Sequence, residues 1–287
     1  MEKKTNKGLI CLVVVLLIAL LGTVGYILVD KGVIKLKKEK SVIEKNKNEG
    51  LSLEIDNAGI VDLYNKVNVY YGNQIYMINN SANKKIVSNK MSYEDKMILL
   101  NHQLIREIRT SVVADGETRE SISEVRLKSL YEDMYGTGTY EHKDEIYIDL
   151  VFAGASMITN GYESSSNVNS FEFKYDASTK EYNGIIGGVG GTSGPDIEEG
   201  IESAKKYDNS IEIITYAGFL ESTSEGKYAI YASIEDRNKK SSEVATIEGT
   251  NLSEEVKKYS DKLSHYRYTF KADKAGFYRF ESMEKVK

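Results

Sequence analysis

From Gly8 to Val29 the chain carries no charged residue, and almost every position is Leu, Val, Ile or another apolar residue. Twenty-two residues at about 1.5 Å each give a helix of roughly 33 Å, enough to cross a hydrocarbon core. A core helix of a water-soluble domain carries a polar stripe, and this stretch has none. The sequence therefore predicts an N-terminal transmembrane helix at residues 8–29. Lys7 and Lys31 bracket it, and Tyr26 sits where an interfacial aromatic belongs.

Other uses of such a segment fit less well. As a cleaved signal peptide its best small-residue site is Thr23-Val24-Gly25, and the apolar run continues past it. Cys11 follows Ile10 at the start of the apolar run rather than a small residue at its end, so no lipobox forms. Lys7-Gly8 resembles a pilin-type processing site, but Val13 stands where that family places a Glu. An uncleaved anchor with a short tail at residues 1–7 is the reading taken.

Residues 30–50 alternate lysines with Val33, Ile34, Leu36, Val42 and Ile43, and read as a Lys-rich stalk. Residues 1–50 hold ten Lys against five acids; the whole chain is at −5, which leaves residues 51–287 at −10. So acidic a domain lacks the basic footprint that phosphate backbones require, and nucleic acid is excluded as a partner. Cys11 is the only cysteine, so the domain has neither a disulfide nor a thiolate ligand. Counting lysines beside the span places the domain in the cytoplasm. The signal-anchor layout, and the ease with which long domains translocate whatever their charge, place it outside. The extracytoplasmic orientation is the expectation adopted.

Residues 51–287 read as one α+β domain, mainly helical over 51–140 and mainly strands over 141–287. After a short helix around Ile60, Leu63 and Val67, the alternation of Val67, Val69 and Tyr71 predicts an extended segment to Ile78, turning at Gly72-Asn73. Ser92 and Asp95 open a helix over 93–109 with Met97, Leu100, Leu104 and Ile108 on one face. Ser121 and Glu124 open a second over 122–134, closed by Gly136. The period then changes to two. Strands are predicted around Ile146–Phe152, Phe171–Tyr175, Tyr182, 201–207, 211–219, 228–234, 266–270 and 278–282, with turns at Asp208-Asn209 and Asp273–Gly276. Helices followed by hairpin-linked strands imply helices packed on a curved antiparallel meander, cystatin-like or NTF2-like by element order alone.

Few residues suggest chemistry. Residues 184–194 contain six glycines, yet they match neither a P-loop nor the dinucleotide fingerprint, and Asp196, Glu198 and Glu199 behind them repel phosphate. The segment reads as a mobile connection. If the domain binds a small ligand, Gly187, Gly188, Gly190, Gly191, Thr192 and Ser193 are the first residues to consider. His102, His142 and His265 lack metal-motif spacing and read as surface histidines, and Asp149 shares a solvent-facing alternation with Glu145 and Tyr147. No catalytic, cofactor or metal site is expected. Tyrosine outnumbers phenylalanine 21 to 7, which suits wet recognition surfaces as well as the outer face of a sheet.

The lysine-flanked span, the Lys-rich stalk, the Lys/Asn/Tyr-rich domain and the closing aromatic hairpin before Glu284-Lys285-Val286-Lys287 together resemble signal-anchored extracytoplasmic proteins of low-GC Gram-positive bacteria. That family has no known activity, and the resemblance implies a cell-envelope location. The expected function is a non-enzymatic module that binds an envelope protein or wall partner. The alternative is an enzyme or small-ligand binder with a pocket between helices and curved sheet.

Overall fold

The computed structural model describes residues 50–69, 72–112, 118–151, 168–187, 197–224 and 226–287. The span at 8–29, with Lys7, Tyr26 and Lys31, and the stalk up to residue 49 lie outside them. Among the described residues no helix is long and apolar enough to cross a membrane.

The chain enters through β1 (Leu51–Leu53) and turns into α1 (Ala58–Asn65), where the Asn57 side chain accepts from the Gly59 amide at 2.9 Å. The next segment differs from the extended reading. Residues Asn73–Asn80 form a helix, α2, entered through Gly72 in the left-handed region at φ 66°. The alternation of Val67 and Val69 stops there, and burial follows a helical period instead: Gln74 and Ile78, Ile75 and Asn79 are buried pairs four apart. Gly72 is also held to glycine by crowding, since a Cβ would lie 2.8 Å from Ile197 Cδ1.

After β2 (Lys85–Val87) comes α3 (Tyr93–Glu107), capped by Ser92, whose Oγ accepts from the Asp95 amide at 3.0 Å. The expected stripe of Met97, Leu100 and Leu104 is buried, with Asn101 on the same face, but so is Leu99 on the opposite one. A helix buried that widely is covered on more than one side. Strands β3 (Arg109–Val112) and β4 (Thr118–Ser123) follow, and α4 spans Glu124–Tyr135. It starts two residues later than expected because Ile122 and Ser123 still pair with Tyr182 and Glu181. Ser123, not Ser121, is the cap, accepting from Arg126 N at 3.3 Å. Val125, in the first turn of α4, is exposed.

The remaining strands are β5 (Glu145–Val151), β6 (Val168–Asp176), β7 (Glu181–Gly187), β8 (Ile197–Lys206), β9 (Ser210–Ser224), β10 (Lys227–Tyr231), β11 (Glu243–Glu248), β12 (Ser264–Ala272) and β13 (Tyr278–Lys285). They form two antiparallel sheets rather than one. The first runs β1-β8-β9-β12-β13-β2, with β10 and β11 joined to the far half of β9; the second runs β3-β4-β7-β6-β5. Bulges at Ile201/Ser203 and Thr269/Phe270 interrupt the long pairings of the first sheet, where such insertions bend strands. The hairpins β8–β9 and β12–β13 lie where the turn residues place them.

Two short helices escape the alternation. Ile234 opens α5 (Ile234–Lys239), not the end of a strand, because Ser233 Oγ accepts from the Asp236 amide at 3.1 Å and stops β10 at Tyr231. Asn251 caps α6 (Leu252–Lys257) in the same way.

Helices α2–α4 divide their contacts between the sheets, α2 on β13, α3 on β5, and α4 on both β13 and β4. One core therefore joins both: Phe270, Phe280 and Met283 of the first sheet with Ile146, Phe173 and Tyr182 of the second. A smaller core of Tyr216, Leu220, Ile230, Ile247, Val256 and Leu263 lies between β9–β11 and α6.

Candidate functional site

The glycine-rich segment divides at the end of the second sheet. Gly187 is the last residue of β7 and pairs with Ser170, so it belongs to a strand and not to a mobile connection. Gly184 is a strand residue as well: a Cβ there would lie 1.9 Å from the Glu172 carbonyl oxygen. Its role is close backbone approach. Gly188, Gly190, Gly191, Thr192 and Ser193 lie outside the described residues.

A concavity lies elsewhere among the described residues. A groove of about 520 Å³ opens between α1, the edge strand β1, the end of the β8–β9 hairpin and the β12–β13 turn. Leu53, Ile60, Leu63, Ile211, Phe277 and Tyr278 supply apolar surface, and Asp62, Lys66, Asp133 and Lys206 stand among them. Phe277 is 60 % exposed, although it is a large aromatic. Its neighbourhood is fixed by ion pairs. Arg279 Nη1 donates to Asp133 Oδ1 at 2.8 Å and its Nε to Asp273 Oδ2 at 3.0 Å, while Lys66 Nζ reaches Asp133 Oδ2 at 2.6 Å. The Arg279 guanidinium also lies over the Phe277 ring, 5.2 Å from its centroid. Leu51 and Ile55, flanking Leu53, are exposed apolar residues too.

A second cluster surrounds Glu199. Its Oε1 accepts from Thr215 Oγ1 at 2.6 Å and from the Tyr268 hydroxyl at 2.9 Å, and its Oε2 from Gln74 Nε2 at 2.7 Å. Gln74 in turn accepts from the Val69 amide at 3.0 Å. Burial raises the Glu199 carboxyl above its usual range, and the donors from Thr215, Tyr268, Tyr64 and Gln74 oppose that shift. Thr215, Tyr268 and Gln74 are fully buried. The carboxylate is thus held by the protein's own donors.

A third cluster gathers around His142. Nδ1 lies 2.7 Å from Glu124 Oε1 and Nε2 lies 3.2 Å from Asp144 Oδ1. The Tyr175 hydroxyl donates to Glu124 Oε2 at 3.0 Å, and the buried Tyr182 donates to the Lys143 carbonyl at 2.8 Å.

The histidines are less alike than their sequence contexts suggest. His142 is exposed, as expected. His102 is half-buried, its Nδ1 2.9 Å from the Asn68 carbonyl oxygen. His265 is buried, with Nδ1 3.0 Å from the Leu263 carbonyl and Nε2 3.0 Å from Glu202. It is the second residue of β12, next to the buried Tyr266, and both faces of that strand are covered there. Glu145 and Tyr147 do face solvent.

Sequence reasoning set Glu199 aside as one of three acids behind a glycine run. A signal was present, because Glu199 alternates with Ile197 and Ile201 and shares their face. The groove had a fainter mark, an aromatic placed directly after the turn glycine Gly276. Among the described residues no three His, Cys, Asp or Glu side chains are arranged to hold a metal ion. No protein-family model, no curated protein and no solved structure matches this chain.

Proposed function

We propose that this chain is a membrane-anchored extracytoplasmic protein, held by residues 8–29, whose α+β domain is a non-enzymatic binding module at the cell envelope. The observation that carries this reading is the open apolar groove with Phe277 exposed at its mouth. Single apolar residues on a surface need no explanation, but a contiguous patch rimmed by fixed charges marks a contact site. The groove borders β1, the edge of the first sheet, whose outer side pairs with no described strand. An edge beside an apolar trough suits an extended segment of an envelope protein, with main-chain pairing on β1 and alternate side chains in the groove. The Glu199 cluster supports binding over catalysis, since its carboxylate oxygens are already engaged by protein donors.

The test is a photo-crosslinking residue in place of Phe277 in the full chain, in living cells, with Glu172 on the second sheet as the comparison site. A product specific to position 277 that disappears with Leu53→Asp supports the groove. Equal labelling at both positions, or none at 277, overturns it. The groove volume also lies in the range of small-ligand sites and favours, as a second reading, an apolar small ligand. That reading predicts saturable binding of an apolar fluorophore, competed by no peptide.

A further inference from the structure

The segment between α4 and β5 is tied down by one imidazole that faces two carboxylates. His142 Nδ1 lies 2.7 Å from Glu124 Oε1, in the first turn of α4, and Nε2 lies 3.2 Å from Asp144 Oδ1, just before β5. A neutral imidazole has one N–H and can donate to only one of them; the imidazolium has two and satisfies both. The carboxylate of Glu124 continues the chain of contacts, its Oε2 accepting from Tyr175 of β6. The Tyr175 ring stands edge-on to the imidazole with centroids 4.6 Å apart, and the Tyr182 hydroxyl of β7 lies 3.3 Å from Nδ1. Two backbone-acceptor bonds run beside it: Tyr175 N to the Asp144 carbonyl and Tyr182 OH to the Lys143 carbonyl, both 2.8 Å. One side chain therefore joins α4, the α4–β5 segment, β6 and β7.

We propose that His142 is a protonation-operated clasp, closed as imidazolium and loosened as neutral imidazole, that fastens the second sheet to the helix layer. The groups facing it are Glu124 from α4, with Lys128 acting on that carboxylate, Asp144 from its own segment, Tyr175 from β6 and Tyr182 from β7. The neighbouring Lys143 and Glu141 pair with each other at 3.6 Å. The charges in contact with the ring are thus both negative. The bond to Glu124 first, and that to Asp144 second, raise the imidazole above its ordinary value of 6.5. A raised folded value gives a contribution that is complete below pH 6.5 and fades as pH rises through the folded pKa. The clasp is closed in mild acid and loosened above neutrality.

The chain has three histidines, so ring-labelled histidine in the full-length protein in detergent gives three sets of NMR signals to follow against pH. The signal missing in His142→Gln identifies His142. It is expected to titrate above 6.5, and Glu124→Gln is expected to bring it back toward that value. Between pH 6 and pH 8.5 the wild-type Tm should fall by about 1–3 °C more than that of His142→Gln, the scale of one half-exposed ion pair in a domain of this size. His142 lies on the surface and Gln keeps one donor, so the variant folds. A titration at or below 6.5, an unchanged value in Glu124→Gln, or parallel Tm profiles would each overturn the clasp.

Discussion

The Tyr268 hydroxyl donates to Glu199 Oε1 across 2.9 Å, joining β12 to β8 over the intervening strand β9, which adds Thr215 to the same oxygen. Gln74 of α2 takes the other oxygen. Four elements thus converge on one carboxylate. In Glu199→Ala three buried donors lose their acceptor, at about 1–3 kcal/mol each where no water replaces it. Chemical denaturation should show a loss of about 3–5 kcal/mol, the scale of a broken buried network. Glu199→Gln keeps an acceptor and should lose less. The pH dependence has a definite sign. Burial raises the folded carboxyl, so its contribution is complete below the unfolded value and declines as pH rises through the folded one. The advantage of wild type over Glu199→Gln is therefore expected to shrink from pH 4 upward. An advantage that grows with pH would mean the donors outweigh desolvation.

Gly184 sits in β7, the middle strand of the second sheet, where a Cβ would meet the Glu172 oxygen at 1.9 Å. Backbone cannot step aside as a side-chain tip can. Gly184→Ala is expected to force β6 from β7 and to cost more than about 3 kcal/mol, beyond ordinary overpacking. Gly138 makes the control. It has φ +78° and no neighbour within 4 Å, so Ala there bears only the backbone cost of about 1–2 kcal/mol. Equal midpoints for the two variants in urea would contradict the close approach in β7.

Around the groove, stability and binding separate. Arg279→Ala removes the links to Asp133 and Asp273 and should lower stability by about 1–2 kcal/mol, since Arg279 is largely buried though Asp133 is half-exposed. Arg279→Lys keeps the charge but not the fork, and should recover only part of it. Phe277→Ser touches an exposed ring and should change stability by less than about 0.5 kcal/mol while abolishing groove crosslinking. A Phe277→Ser protein that crosslinks normally from neighbouring positions would remove Phe277 from the binding surface.

With an epitope tag after Lys287, protease treatment of intact cells is expected to remove the tag, as the extracytoplasmic orientation requires. A tag protected until the membrane is broken would mean that the stalk lysines direct the orientation. Partners would then be cytoplasmic.

The most legible elements were those whose turn and pattern agree. The β12–β13 hairpin carries Tyr266, Tyr268 and Phe270 in strict alternation up to Asp273, whose carboxylate accepts from the Ala275 and Phe277 amides. Helix α3 was legible for the same reason, its cap and stripe pointing one way. Helix α2 was not: Val67 and Val69 suggest a strand, and only the tertiary burial of Gln74, Ile75, Ile78 and Asn79 reveals the helical period. The separation into two sheets had no local sign, because a strand's alternation says that one face is covered and not by what. The polar clusters were hidden for a related reason. Glu199 and His142 acquire their partners from segments up to 125 residues away, and periodicity carries no information about such meetings.

The helix layer ties the two sheets together. α2 packs on β13 and β2 of the first sheet, α3 on β5 of the second, and α4, which also packs on α3, touches β13 and β4, one strand from each. A fragment trimmed to either sheet would uncover apolar helix surface that the other shelters. Any change that alters one sheet must therefore answer to the other through these helices.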